Sequence, residues 1–133
     1  MATFIDTSAI IALVAARDQN HAQAGTTFEA LSHEMLVLSE DIFDEVVTNC
    51  RRLLGFTAAI EVGTEIRENH RFRIEPLLAE DRQQAWALFQ KYGEDVQSLT
   101  DCSSAALMDR LGIERIFTFD KDFRILGKTV IGG

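Results

Sequence analysis

Proline and cysteine are scarce in this chain of 133 residues, which has one Pro and two Cys. So little proline excludes collagen-like, mucin-like and Pro-rich linker architectures. Cys50 and Cys102 lie in unrelated contexts with no metal-ligand spacing. Each reads as a small buried hydrophobe rather than half a disulfide. The three histidines, His21, His33 and His70, have no partners at metal spacing and read as surface or capping residues. No apolar run approaches the ~20 residues of a membrane span. The N-terminal segment has no basic region, and Asp6 interrupts its apolar run, so no secretory signal is expected. The chain reads as cytoplasmic with no membrane partner. Positive charge is also short: 13 Lys+Arg stand against 21 Asp+Glu, a net charge of −8. That balance excludes a broad polybasic nucleic-acid binder. No sequence period supports a repeat architecture.

A packed globule remains. Hydrophobic residues make up 47% of the chain and charged residues 26%. The length predicts one domain spanning residues 1–133, long enough to bury a real core. Short apolar runs at 3–5, 35–38, 72–74, 115–119 and 129–131 read as strands. Between them lie helical segments at about 9–16, 20–32, 40–54, 56–68, 78–91 and 101–111. Thr7 or Ser8, Ser39 and Thr100 are the expected N-caps, and Gly55 and Gly112 the expected stops. Alternating strands and helices predict an α/β fold: a mostly parallel central sheet of four to five strands flanked by helices.

On this scaffold several acids converge. Asp6 and Asp120 lie at strand ends and Asp101 at a helix start. In open α/β sheets the carboxyl ends of the strands form the ligand crevice. Glu45 joins them from the 40–54 helix, whose apolar residues fill an arc of about 140° at 100° per residue. Glu45, Asn49 and Arg52 share one edge of that arc. Converging carboxylates repel and raise one another's pKa values, so the arrangement costs stability unless a cation neutralises it. Hard oxygen ligands without His or Cys suit Mg2+ or Mn2+ rather than Zn2+. Such ions act on phosphate esters. Any one of these acids read alone is more often a cap or a solvated loop residue; the combination carries the argument. A haloacid-type phosphatase needs a second Asp two residues after the first, where this chain has Ser8. A receiver domain needs a paired acid at the first strand, which Asp6 lacks.

Four stretches carry a resemblance. Phe4-Ile5-Asp6-Thr7-Ser8-Ala9 resembles the opening motif of PIN domains. Ser39 with Glu45 six residues on resembles their second motif. Ser98-Leu99-Thr100-Asp101-Cys102, followed by Ala105-Ala106-Leu107-Met108, resembles the third. Phe117-Thr118-Phe119-Asp120-Lys121-Asp122-Phe123 resembles the fourth. The resemblance implies a metal-dependent ribonuclease, with small members of the VapC type serving as toxins of toxin–antitoxin pairs. It implies that Asp6, Glu45, Asp101 and Asp120 form the catalytic and metal-holding site, with Asp6 and Asp101 the main direct ligands. Ser8 would orient the site, with Asn49 and Asp95 in support. Asp122 reads as a turn residue. The implied reaction is hydrolysis of an RNA phosphodiester to a 5′-phosphate and a 3′-hydroxyl. A homodimer and an antitoxin protein are the implied partners.

Arg51, Arg52, Arg67, Arg71 and Arg73 form a basic middle segment. They read either as solvated helix faces or as a phosphate-contacting rim, with Arg52 and then Arg51 the candidates for RNA contact. Trp86 and Phe89 at helical spacing read as core. Phe28, Leu31, Phe43 and Phe56 are candidates for an apolar partner surface. The alternative to an enzyme is a non-catalytic module using the PIN fold to bind RNA or protein.

Overall fold

The computed structural model describes residues 1–133. Five strands form one parallel sheet: β1 (Ala2–Ile5), β2 (Met35–Ser39), β3 (Phe72–Glu75), β4 (Arg115–Phe117) and β5 (Thr129–Ile131). Their spatial order is β3-β2-β1-β4-β5. The chain runs outward from β1 to β3 on one side, then returns to the other side with β4 and β5. The order therefore switches at β1, and the crevice of an open parallel sheet lies beyond the strand ends at that point. Register places Phe4 beside Val37 on one side and Ile116 on the other. Phe4, Ile5, Leu36, Leu38, Ile116 and Phe117 are fully buried, as strands covered on both faces require.

Seven helices connect the strands: α1 (Thr7–Val14), α2 (His21–Ala30), α3 (Glu40–Leu54), α4 (Phe56–Glu68), α5 (Ala79–Tyr92), α6 (Leu99–Leu111) and α7 (Asp122–Ile125). In α3 the Ser39 hydroxyl accepts the Ile42 N–H at 3.0 Å, and Glu40 and Asp41 occupy the first turn. This is the expected cap. Gly55 then separates α3 from α4 at φ 98°, a conformation that an L side chain strains to adopt. The helix α6 is buried from Asp101 to Met108 without interruption. A helix apolar or small on every side runs through the interior rather than over it. Its Cys102-Ser103-Ser104-Ala105-Ala106 run keeps the backbone slim enough for neighbours on all sides. No helix is long and apolar enough to cross a membrane.

Four local expectations are corrected. Asp6, not Thr7 or Ser8, occupies the N-cap position of α1, yet its side chain caps nothing. Ser98, not Thr100, caps α6, because its hydroxyl accepts the Asp101 N–H three residues on at 3.4 Å. β4 ends at Phe117 rather than Phe119, and α7 follows where no helix was expected. There the Asp120 carboxylate accepts the Asp122 N–H at 2.9 Å, closing a turn that a strand would not allow. Finally, Trp86 is 55% exposed rather than core, while Phe89 packs against the core beneath it.

Candidate active site

Asp6 leaves β1 at its carboxyl end, with its N–H still donating to Phe117 O at 3.1 Å. The side chain is 5% exposed. Thr118 Oγ1 donates to Asp6 Oδ2 at 2.9 Å, and Ser8 Oγ lies 3.2 Å from the same oxygen. The two hydroxyls are 3.1 Å apart. Each is also pinned from the backbone: Thr118 Oγ1 accepts the Asp120 N–H at 3.0 Å, and Ser8 Oγ accepts the Phe119 N–H at 3.0 Å. One network thus ties the ends of β1 and β4 together and turns the Asp6 carboxylate away from capping α1. Ser8 was expected here. Thr118 lies within the fourth motif, and its place beside Asp6 follows from β1–β4 pairing.

Three further acids gather around the start of α6. Single carboxylate oxygens of Asp101, Asp120 and Asp122 lie within 4.8 Å of one another. Asp122 is therefore more than a turn residue: it opens α7 and brings a third carboxylate to Asp101. Its Oδ2 accepts the Gln97 N–H at 3.4 Å. A cleft of about 440 Å3 joins Asp101 and Asp120 to Asp6 and to Glu45, Asn49 and Arg52 of α3, with Asp122 beside Asp101 and Asp120 but outside its lining. These three α3 residues share the edge that helix geometry assigns them. Glu45 is exposed there, and Arg52 Nη2 donates to Asn49 Oδ1 at 2.8 Å. Asp18 and Asn20, in the loop after α1, also line the cleft. No strand end or helix face pointed to them in the sequence.

Other expected residues fall elsewhere. Arg51 lies across α3 from Glu45, on the opposite edge of its apolar arc, and does not line the cleft. Asp95 is exposed in the loop before α6 and does not line it either. Arg71 stacks 4.0 Å over the Phe28 ring and donates to Phe28 O, while Arg73 pairs with Glu75. Neither arginine sits on a helix face or in the cleft: Arg71 is half-buried against Phe28, and Arg73 is exposed on β3. His21 Nδ1 lies 2.7 Å from Ala12 O, a contact that holds α2 to α1. Of the candidate partner-surface residues Phe56 is 65% exposed, whereas Leu31 is 3% exposed and belongs to the core.

The electrostatics oppose full ionisation of the clustered acids. Burial pushes the Asp6 carboxyl from 3.8 up to about 6 against its hydroxyl donors, with the Glu45 charge adding to the rise. Burial also raises Asp101, and the charges of Asp6, Asp120 and Asp122 carry it to about 8. Removing charge from water and placing it beside like charge both favour the protonated forms. The all-carboxylate donor set fits a hard divalent ion, which would reverse that preference.

The family model for the PIN domain matches residues 3–128. The chain belongs to the PIN domain family. Over 124 residues, 93% of each chain, this PIN domain is 32% identical to the 23S rRNA-specific endonuclease VapC20 of Mycobacterium tuberculosis. The crystal structure of that organism's VapC20, a sarcin-ricin loop cleaving toxin, superposes with a TM-score of 0.86 at 30% identity. The match covers 96% of this chain and 97% of that one. A toxin-antitoxin complex from Klebsiella pneumoniae matches with a TM-score of 0.74 at 20% identity, over 99% of this chain and 98% of its own, a likeness of fold.

Proposed function

We propose that this PIN domain is a Mg2+- or Mn2+-dependent endoribonuclease that hydrolyses RNA phosphodiester bonds. We further propose that it acts in the cytoplasm as the toxin of a VapBC-type pair. The observation that carries the reading is the gathering of Asp6, Glu45, Asp101 and Asp120 in one cleft, in a chain about one-third identical to an rRNA endonuclease. Asp101, Asp120 and Asp122 would hold an ion at the α6 end of the cleft, with Asp6 and Glu45 facing it. When bound, a divalent ion supplies charge against the phosphodiester and lowers the pKa of nearby water.

The chain's own residues do the positioning. Ser8 and Thr118 fix the orientation of the Asp6 carboxylate, so it need not reorganise during the reaction. Asn49 holds the Arg52 guanidinium at the cleft, where it can meet a phosphate oxygen. The network across β1 and β4 keeps acids from distant parts of the chain in register.

A protein partner has support as well. An apolar groove of about 610 Å3 runs between α1, α2 and α4, lined by Leu13, Val14, Phe28 and Val62 among others. It suits an amphipathic segment of an antitoxin. Phe56 and Ile60 of α4 are 65% and 52% exposed and would suit the contact of a homodimer.

The test is cleavage of two RNAs, a hairpin carrying the sarcin-ricin loop named for the structural relative and an unstructured oligomer, with Mg2+ or Mn2+. Asp6→Asn and Asp101→Asn are expected to lose at least about a hundredfold in rate, as removal of central electrostatic groups does. Variants as fast as the unaltered protein would exclude the site. A protein that binds RNA without cleaving it would instead be a binding module.

A further inference from the structure

The acidic cleft opens sideways. Ile11, Asp18 and Leu53, which line it, also line a neighbouring hollow of about 650 Å3. This hollow lies where the end of α1 passes the end of α3, with Ala15, Ala16 and Leu54 completing its apolar wall and Arg17 at its margin. Leu53 and Leu54 are 56% and 41% exposed, so the wall leaves apolar surface in water.

Positive charge stands at both compartments of a chain whose net charge is −8. Arg17 lines the hollow and Arg52 lines the cleft. Both are exposed, and neither belongs to any of the five ion pairs of the structure. Between them the 18–20 loop offers hydrogen-bonding groups. The Asn20 N–H donates to Asp18 Oδ1 at 2.8 Å, which leaves the Asn20 amide and the second Asp18 oxygen free.

We propose that the hollow is a nucleobase subsite, taking the base of the nucleotide next to the scissile phosphate. The inference rests on the ribonuclease reading above. Proteins that read single-stranded RNA splay bases out against apolar or guanidinium surfaces and hydrogen-bond their edges. This hollow supplies an apolar wall in Leu53, Leu54 and Ile11, the Asp18 carboxylate as a hydrogen-bonding edge and the Arg17 guanidinium, while Asn20 and Arg52 stand in the adjoining cleft for the connecting backbone. Its continuity with the cleft decides the occupant. A strand whose phosphate sits at the carboxylates must send its next base somewhere, and the shared residues Ile11, Asp18 and Leu53 lead into the hollow. A helix from a protein partner would have no reason to meet Arg17 and Arg52 across an acidic cleft.

Leu54→Asp places a carboxylate at an exposed position of the wall. Cleavage kinetics are measured with an RNA oligomer and with the same oligomer made abasic beside the cleaved bond. Hydrolysis of bis(p-nitrophenyl) phosphate, too small to reach the hollow, reports on the carboxylates alone. Leu54→Asp is expected to lower kcat/KM for RNA about tenfold, the lower end of what one lost base contact costs, mainly through KM. Hydrolysis of the small ester should not change. The abasic oligomer should cost the unaltered protein about the same and the variant nothing more. Equal rates in the two proteins, or losses that add, would overturn the subsite. So would unchanged RNA kinetics together with dissociation of a dimer, which would make the hollow a protein interface. If the unaltered protein cleaves no RNA, the ribonuclease reading itself fails, and that result is distinct from the others.

Discussion

Asp101→Asn is expected to strengthen the metal-free fold while removing cleavage. Asp101 is 8% exposed, and burial together with the charges of Asp6, Asp120 and Asp122 raises its carboxyl from 3.8 to about 8. Asp6 rises to about 6, first by burial. A carboxyl that ionises less readily in the folded chain than in the unfolded one keeps its proton longer on the folded side. The contribution of these two acids to metal-free stability is therefore greatest below about pH 4 and falls as the pH rises, levelling off above about 6 for Asp6 and above about 8 for Asp101. At 1.36 kcal/mol per pH unit, the rise of Asp6 from 3.8 to about 6 corresponds to about 3 kcal/mol lost at high pH. The larger rise at Asp101 is shared with its neighbours, so it counts as the same order rather than as an addition. Asparagine has the same shape and no charge, and its amide can donate to Asp120 as the protonated acid does. A gain of about 2–3 kcal/mol at pH 8.5 follows, or about 8–12 °C in Tm at ~4 °C per kcal/mol for a chain of this size. The gain should shrink steadily towards pH 4. Thermal melts in chelator from pH 4.5 to 8.5 measure it, and saturating Mn2+ should raise the unaltered protein far more than the variant. A variant melting below the unaltered protein at pH 8.5 in chelator would refute the reasoning. A Tm indifferent to pH over that range would do the same.

Thr118→Val keeps the side-chain shape but removes the hydroxyl donor to Asp6 and the acceptor for the Asp120 N–H. It should cost about 1.5–3 kcal/mol at pH 8, the range for a hydrogen bond to a charged group, and move the acid limb of the cleavage pH profile upward; an unmoved limb would count against the network. Ser39→Ala removes the buried cap of α3. Chemical denaturation should show a loss of about 1–2 kcal/mol with the m-value unchanged.

Much of this was legible because the signals were local. The Ser39 cap and the Gly55 stop set α3 in register, and that register alone placed Glu45, Asn49 and Arg52 along one edge. Asp6 and Asp120 at strand ends implied a shared crevice once the sheet was read as parallel. The misplaced residues depended on tertiary contacts. Thr118 matters because β4 pairs with β1, which no window around residue 118 reveals. Asp122 reads locally as a turn, and only the approach of α6 makes it the third carboxylate beside Asp101. Trp86 has the spacing of a core residue, but α5 turns it to solvent and lets Phe89 cover the interior. Asp18 and Asn20 sit in a loop with no periodicity, so their place at the cleft is set by where α1 ends.

The two buried acids differ in a way that explains the design of the site. Asp6 is the more deeply buried, yet its carboxyl is raised less, because Thr118 and Ser8 turn hydroxyls towards it. It stays largely ionised near neutral pH and keeps one fixed orientation. Asp101 has no such donor; its neighbours are the carboxylates of Asp120 and Asp122. With its carboxyl raised to about 8, it stays largely protonated near pH 7 unless a cation offsets the neighbouring charges. The chain therefore builds one acid that is oriented in advance and, on the function proposed above, a cluster that an ion would complete. The fold bears the cost of that cluster on α6, a helix buried along most of its length and held by packing on every side. A less enclosed helix would relieve the repulsion by moving its N-terminus outward, and the cleft would open.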